Sequence, residues 1–163
     1  MDLVPVFARW LHFLAGIMWI GLLYYFNFVQ VPALKAAAAD GTAAGITKHV
    51  APRALLYFRW SSVVTWLAGA ALLGSNFVGA FTLSKGLAGI GIGAWLGTIM
   101  LINVWALIWP NQQKILGMKP ANDEEKTKAR RVALLASRAN VAMSIPMLFF
   151  MAGGWSHRAL FGL

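Results

Sequence analysis

Two histidines set in apolar surroundings are the residues of this chain best placed to do chemistry. His12 lies in the run VPVFARWLHFLAGIMWIGLLYYFNFVQ, residues 4–30, and His157 in the run that ends FFMAGGWSH. An imidazole in hydrocarbon needs a partner, because an unsatisfied polar group there costs several kcal/mol. Gly16 follows His12 by one helical turn and Gly153 precedes His157 by one turn, so each glycine shares its histidine's face. A glycine beside an imidazole leaves clearance for a flat macrocycle. Two imidazoles on facing helices are one established way of holding a haem iron, and they would make a low-spin b-type centre suited to electron transfer. Trp19, with Ala15, Phe150 and Met151, would supply apolar walls, and Arg9 and Arg158 cations for the propionates.

Spacing alone leaves plainer readings open. His12 could bond a carbonyl or hydroxyl on a neighbouring helix, His157 could be an interfacial side chain beside Trp155, and the glycines could serve packing alone. A metal without haem is disfavoured, since no carboxylate lies in any apolar run and two imidazoles leave such a site incomplete.

A second polar group, Arg59, Asn111, Arg138 and Asn140, gathers toward the opposite end of the same runs. No Asp or Glu is near enough in sequence to pair the arginines. Snorkelling to lipid phosphates is one reading and a quinone or anion site the other. Arg138, with Ser137 and Asn140 beside it, is expected to face the bundle. No nucleophile–base pair, phosphate loop or acidic pair supports hydrolysis or phosphoryl transfer.

These residues must be positioned by membrane-spanning helices. Of 163 residues 60% are hydrophobic, against ~45–50% in soluble domains, and mean hydropathy is +0.67. Four runs, about 4–30, 54–76, 86–109 and 132–158, are long enough at ~1.5 Å per residue to cross ~30 Å of hydrocarbon. The expected fold is therefore an all-α, integral membrane four-helix bundle in one domain, 1–163. Pro32 and Pro110 are expected to end the first and third spans, and Pro52 to sit in the first turn of the second. Pro146 should kink the fourth. Asn122 and Glu125 form a capping box that starts the fourth helix near Asp123, ahead of the membrane. Gly89, Gly93 and Gly97 recur every fourth residue and predict a close helix contact.

The net charge is +9, and most basic residues fall in segments 31–53 and 110–131. The positive-inside rule then puts both termini on the non-cytoplasmic side, periplasmic in a bacterial inner membrane. This distribution is a topology signal and argues against nucleic acid as a partner; the lipid bilayer is the partner expected. The chain has no cysteine, which excludes disulfides, thiolate metal sites and c-type haem attachment. Its start, Met-Asp without a basic segment, does not read as a signal peptide.

The stretches ARWLHFLAGIMWIGLLYYFNFVQ, PRALLYFRWSSVVTWLAG, IWPNQQKILG and SRANVAMSIPMLFFMAGGWSH together resemble the membrane domain of bacterial urate hydroxylases, the urate oxidase N-terminal family. A looser similarity is to HemJ-type and CopD-type four-helix haem proteins, which share a histidine in a Trp/Gly-rich first helix. In the urate hydroxylases the membrane domain is larger and a c-type cytochrome follows it. This chain has about half that membrane length and no Cys-x-x-Cys-His, so it is not expected to be a complete enzyme of that kind. The resemblance marks His12, Arg59, Trp105, Asn111, Arg138, Asn140 and His157 as candidate functional positions. It implies a haem b subunit exchanging electrons with a periplasmic cytochrome c or a larger redox complex. The alternatives are a cofactor-free accessory subunit of a respiratory or photosynthetic complex and a HemJ-like porphyrinogen oxidase. The homo-oligomeric state stays open.

Overall fold

The computed structural model describes residues 3–153, and these form helices, turns and no strand. Four helices are long and apolar enough to cross a membrane: α1, Val4–Ala39; α2, Ala43–Phe81; α3, Ala88–Ile115; and α4, Asp123–Ala152. The chain is a multi-pass membrane protein, and the all-α four-helix expectation holds. His157 and Arg158, together with Trp155, lie outside the described residues.

The helices run further than the apolar spans 4–30, 54–76 and 86–109, because three prolines do not end them. A wide π turn precedes each of these prolines. The π segments are Tyr25–Gln30, Ile46–Val50 and Asn103–Ile108, and Pro32, Pro52 and Pro110 are each the second residue of the α segment that follows. The amide just before each proline reaches back five residues: Val31 to the Phe26 carbonyl, Ala51 to Ile46 and Trp109 to Val104. A proline has no N–H and its ring collides with the carbonyl four residues earlier. Opening the turn to five-residue spacing absorbs that defect, so the helix continues. Pro32 and Pro110 therefore lie within helices, which corrects the expected exits. Pro52 stands in the first turn of an α segment, as expected, yet α2 has already begun at Ala43. Pro146 lies inside α4.

The break between α1 and α2 falls at Asp40–Gly41, where Gly41 takes φ +81°. The Thr42 amide donates to Asp40 Oδ1 at 3.0 Å, and the Thr42 hydroxyl bonds the same oxygen. Those two bonds hold the Asp40 carboxyl below its usual range. The capping box is also present: Glu125 N–H donates to Asn122 Oδ1 at 2.8 Å and Asn122 N–H to Glu125 Oε2 at 2.9 Å. It satisfies two orphan amides at the start of α4.

The helices pair α1 with α2 and α3 with α4, and α4 also touches α1. Trp19, Leu23, Phe58, Met100, Val104 and Ile108 belong to the core where they meet. Lipid is as apolar as these side chains, so close packing and interhelical bonds decide the association. Gly93 matches the expected contact: a Cβ there would stand 3.3 Å from the Phe150 Cβ and the Met151 Cγ on α4. At Gly89 and Gly97 no such contact is seen among the described residues, where a Cβ would meet nothing within 4 Å. The closest approach is at Gly91, where a Cβ would fall onto the Ala80 carbonyl oxygen. The last turn of α2, Phe77–Phe81, is thereby seated on α3, and Trp95 Nε1–H donates to the Phe81 carbonyl at 3.0 Å to hold it.

Candidate functional site

The polar face of α2 turns inward as its composition requires, but its hydroxyls bond their own helix. Ser61 donates to the Phe58 carbonyl at 3.1 Å, Ser62 to Arg59 at 2.6 Å and Thr65 to Ser61 at 2.7 Å. Such back-bonding satisfies a hydroxyl inside a bundle without using a neighbour. It leaves the Thr65 carbonyl facing α1, and His12 Nδ1 lies 2.8 Å from that oxygen. A carbonyl only accepts, so Nδ1 carries the proton in this bond. His12 is half-buried, and no described residue bonds its Nε2.

The ring is seated by a residue that the sequence reading passed over. A Cβ on Gly69 would stand 2.9 Å from His12 Cε1 and 3.1 Å from Nδ1, so only glycine leaves room for the imidazole there. Gly16 is looser, with a Cβ reaching Thr65 Cγ2 at an ordinary 3.7 Å. The register could have pointed to this pair. In antiparallel helices His12 lies as far after Val4 as Thr65 lies before Leu73. Gly69 sits one turn beyond Thr65 on the same face.

Beside His12 a cavity of about 780 Å³ opens between all four helices. His12, Gly16, Trp19 and Arg9 line it from α1, Thr65 and Gly69 from α2, Ala94 and Gly97 from α3, and Met147 and Met151 from α4. Tyr24, which the sequence reading did not single out, also lines it, and its hydroxyl is 2.9 Å from Ser144 Oγ. Trp19 is only 2% exposed, and no described residue bonds its indole N–H. Of the expected site residues, the structure brings His12, Gly16, Trp19 and Arg9 together. Gly153 is described, but it caps the end of α4 and is not in the lining. The His157 and Arg158 assignments fall outside the described residues.

The second polar group is not one site. Arg59 Cζ lies over the Trp109 ring, 3.7 Å from its centroid, a cation–π contact between α2 and α3. Asn111 donates to the Leu107 carbonyl of its own helix at 2.7 Å. Asn140 is fully buried; it accepts from Asn103 Nδ2 at 2.9 Å and donates to the Met100 carbonyl at 3.0 Å. Arg138 is exposed on the outer face of α4, which corrects the expectation that it faces the bundle. Trp105 stacks edge-on against Trp60, and no described residue bonds its indole N–H. Among the described residues no three His, Asp or Glu side chains cluster as metal ligands.

The sequence pattern of the urate oxidase N-terminal family matches residues 76–159, just over half of the chain. The chain belongs to that family. No curated protein and no solved structure matches it. In this urate oxidase N-terminal family member the matched stretch covers α3 and α4, including Trp105, Asn111, Arg138 and Asn140. His12, Thr65 and Gly69 lie before it, so the cavity joins walls from inside and outside the family stretch.

Proposed function

We propose that this family member is a haem b-binding membrane subunit that transfers electrons, exchanging them with a periplasmic cytochrome c or a larger redox complex. The observation that carries the reading is the cavity of about 780 Å³ with His12 on its wall. That volume lies in the range of cofactor pockets, ~300–1,000 Å³. The donor set suits the group. His12 already donates one ring N–H to a backbone carbonyl, the usual arrangement of a ligating imidazole, and keeps the other nitrogen for iron. Trp19, Met147 and Met151 supply apolar walls, and Arg9 a cation for a propionate. Bound haem would supply one-electron chemistry at iron. The chain's residues would fix the ring plane, exclude lipid and water, and set the potential through His12. His157 is the second imidazole of this reading. The membrane is the bacterial inner membrane with both termini periplasmic, supported by the basic segments 31–53 and 110–131.

The test is the reduced-minus-oxidised optical spectrum of the purified protein with its His12→Ala and His157→Ala variants. Wild type should show b-type bands, and each substitution should abolish them or convert the iron to high spin. A wild type without haem bands overturns the reading. An effect of His12 alone would leave one protein ligand and an open iron position, and would favour the porphyrinogen-oxidase alternative.

A further inference from the structure

The way His12 is held carries an inference about which atom of the ring is available. Its environment has two parts, both on α2. The Thr65 carbonyl accepts from Nδ1 at 2.8 Å. In helical register that carbonyl is also the acceptor for the Gly69 amide, so it serves both groups at once. Gly69 then faces the ring itself, with a hypothetical Cβ 2.9 Å from Cε1 and 3.1 Å from Nδ1. A methyl group at that distance forces the imidazole away, and turning the ring is the cheapest relief. Turning it withdraws Nδ1 from the Thr65 oxygen.

We infer that Gly69 and the Thr65 carbonyl are positioning groups that lock His12 in the Nδ1–H form and leave Nε2 as the bare lone pair, the atom that binds a metal centre. An unlocked ring would present a proton at either nitrogen and would have to exchange it before binding iron. Donation to a carbonyl also makes the imidazole more electron-rich, which favours the oxidised iron and lowers its reduction potential. The use of the lone pair for haem rests on the function proposed above, whereas the tautomer and the role of Gly69 do not.

The experiment is ¹⁵N NMR of histidine-labelled, haem-free protein in lipid nanodiscs at neutral pH, followed by spectra and redox titration of the haem-loaded form. In the wild type His12 should give one protonated Nδ1 signal and one unprotonated Nε2 signal. A Nε2–H form, or a ring protonated on both nitrogens, overturns the inference, and this arm needs no variant to fold. Gly69→Ala should lose the single-tautomer pattern. When loaded it should show a higher potential and a larger high-spin fraction than wild type. Gly89→Ala, a helical glycine outside the cavity lining with no described atom within 4 Å of an added Cβ, should behave as wild type. If Gly69→Ala matches wild type in both NMR and haem spectra, Gly69 does not position the ring. If the locked tautomer is found and no haem binds, the haem reading fails and the positioning role stands.

Discussion

The two ends of the bundle use polar residues in opposite ways. At the Arg59 end, polar side chains are spent on the fold. Asn140 gives its amide to Met100 and takes one from Asn103, Asn27 bridges Leu23 and Ser137, and Arg59 lies on Trp109. Aromatic pairs such as Phe26–Phe58 and Trp60–Trp105 fill the space between them. At the His12 end, small residues leave a hollow, and His12 Nε2 and the Trp19 indole N–H keep unused bonding capacity beside it. Gln30 Oε1 and Trp105 Nε1 are also unpaired among the described residues, but neither residue lines the cavity. A buried polar residue in a membrane protein is therefore not in itself a functional signal. Its accounts with its neighbours, and the space next to whatever is left over, separate interhelical glue from a binding site.

The largest effect expected comes from α3, whose glycines face both a filled and an empty surface. Gly91→Ala drives a methyl into the Ala80 backbone carbonyl, which cannot rotate away. A loss of about 3 kcal/mol, the upper end of overpacking costs, should appear as a lowered thermal midpoint in detergent. Gly97→Ala puts the same methyl into the cavity lining with no neighbour within 4 Å. It should leave stability unchanged or slightly raised, since alanine favours helix by ~0.5–1 kcal/mol. Equal losses at both positions would mean that the cavity closes around Gly97 in the membrane.

An intermediate effect is expected at the filled end. Asn140→Leu removes two interhelical bonds, the one from Asn103 and the one to the Met100 carbonyl, and leaves the Asn103 amide without its acceptor. Membrane hydrogen bonds average about 0.6 kcal/mol each with a maximum near 1.7, so two lost bonds and an orphaned amide put the loss at roughly 1–2 kcal/mol. Stability should fall by that amount, read as a lowered thermal midpoint, while the optical spectrum stays that of wild type. A changed spectrum would join Asn140 to the site at the other end and erase the contrast.

How much of this was legible in the residues follows the same physics. Hydropathy is a sum over many side chains, so the four spans and the all-α bundle could be read directly, as could the capping box at Asn122 and Glu125, which depends on local spacing alone. The helix ends were misread because Pro32 and Pro110 look like stops, and only the backbone reveals the π turns that absorb them. The polar ring of candidates at Arg59, Asn111, Arg138 and Asn140 was assembled from depth along each helix. Depth does not say which way a side chain points around it, and the structure separates all four. Gly69 was missed for a related reason: its importance lies in what it leaves room for, and that is the His12 ring on another helix.

The smallest effect expected is at Arg138. It is exposed on α4 among Leu135, Ile145 and other apolar side chains that also face outward. An arginine on such a face costs ~2.5–3.5 kcal/mol at the helix centre, and less when its long stem carries the guanidinium to the interface. Replacing it by leucine removes that cost and no bond within the chain that the structure records. Arg138→Leu should therefore leave the thermal midpoint unchanged or slightly raised, with an unchanged spectrum, in contrast to Asn140→Leu two residues away. A large loss of stability would show that the Arg138 face is covered by another membrane helix carrying an acceptor. This chain has no carboxylate in any span to offer, so that acceptor would have to be a carbonyl, an amide or a different protein's acid. A loss that depends on protein concentration would point to a second copy, and a loss seen in the native membrane but not in the purified protein would point to a separate partner.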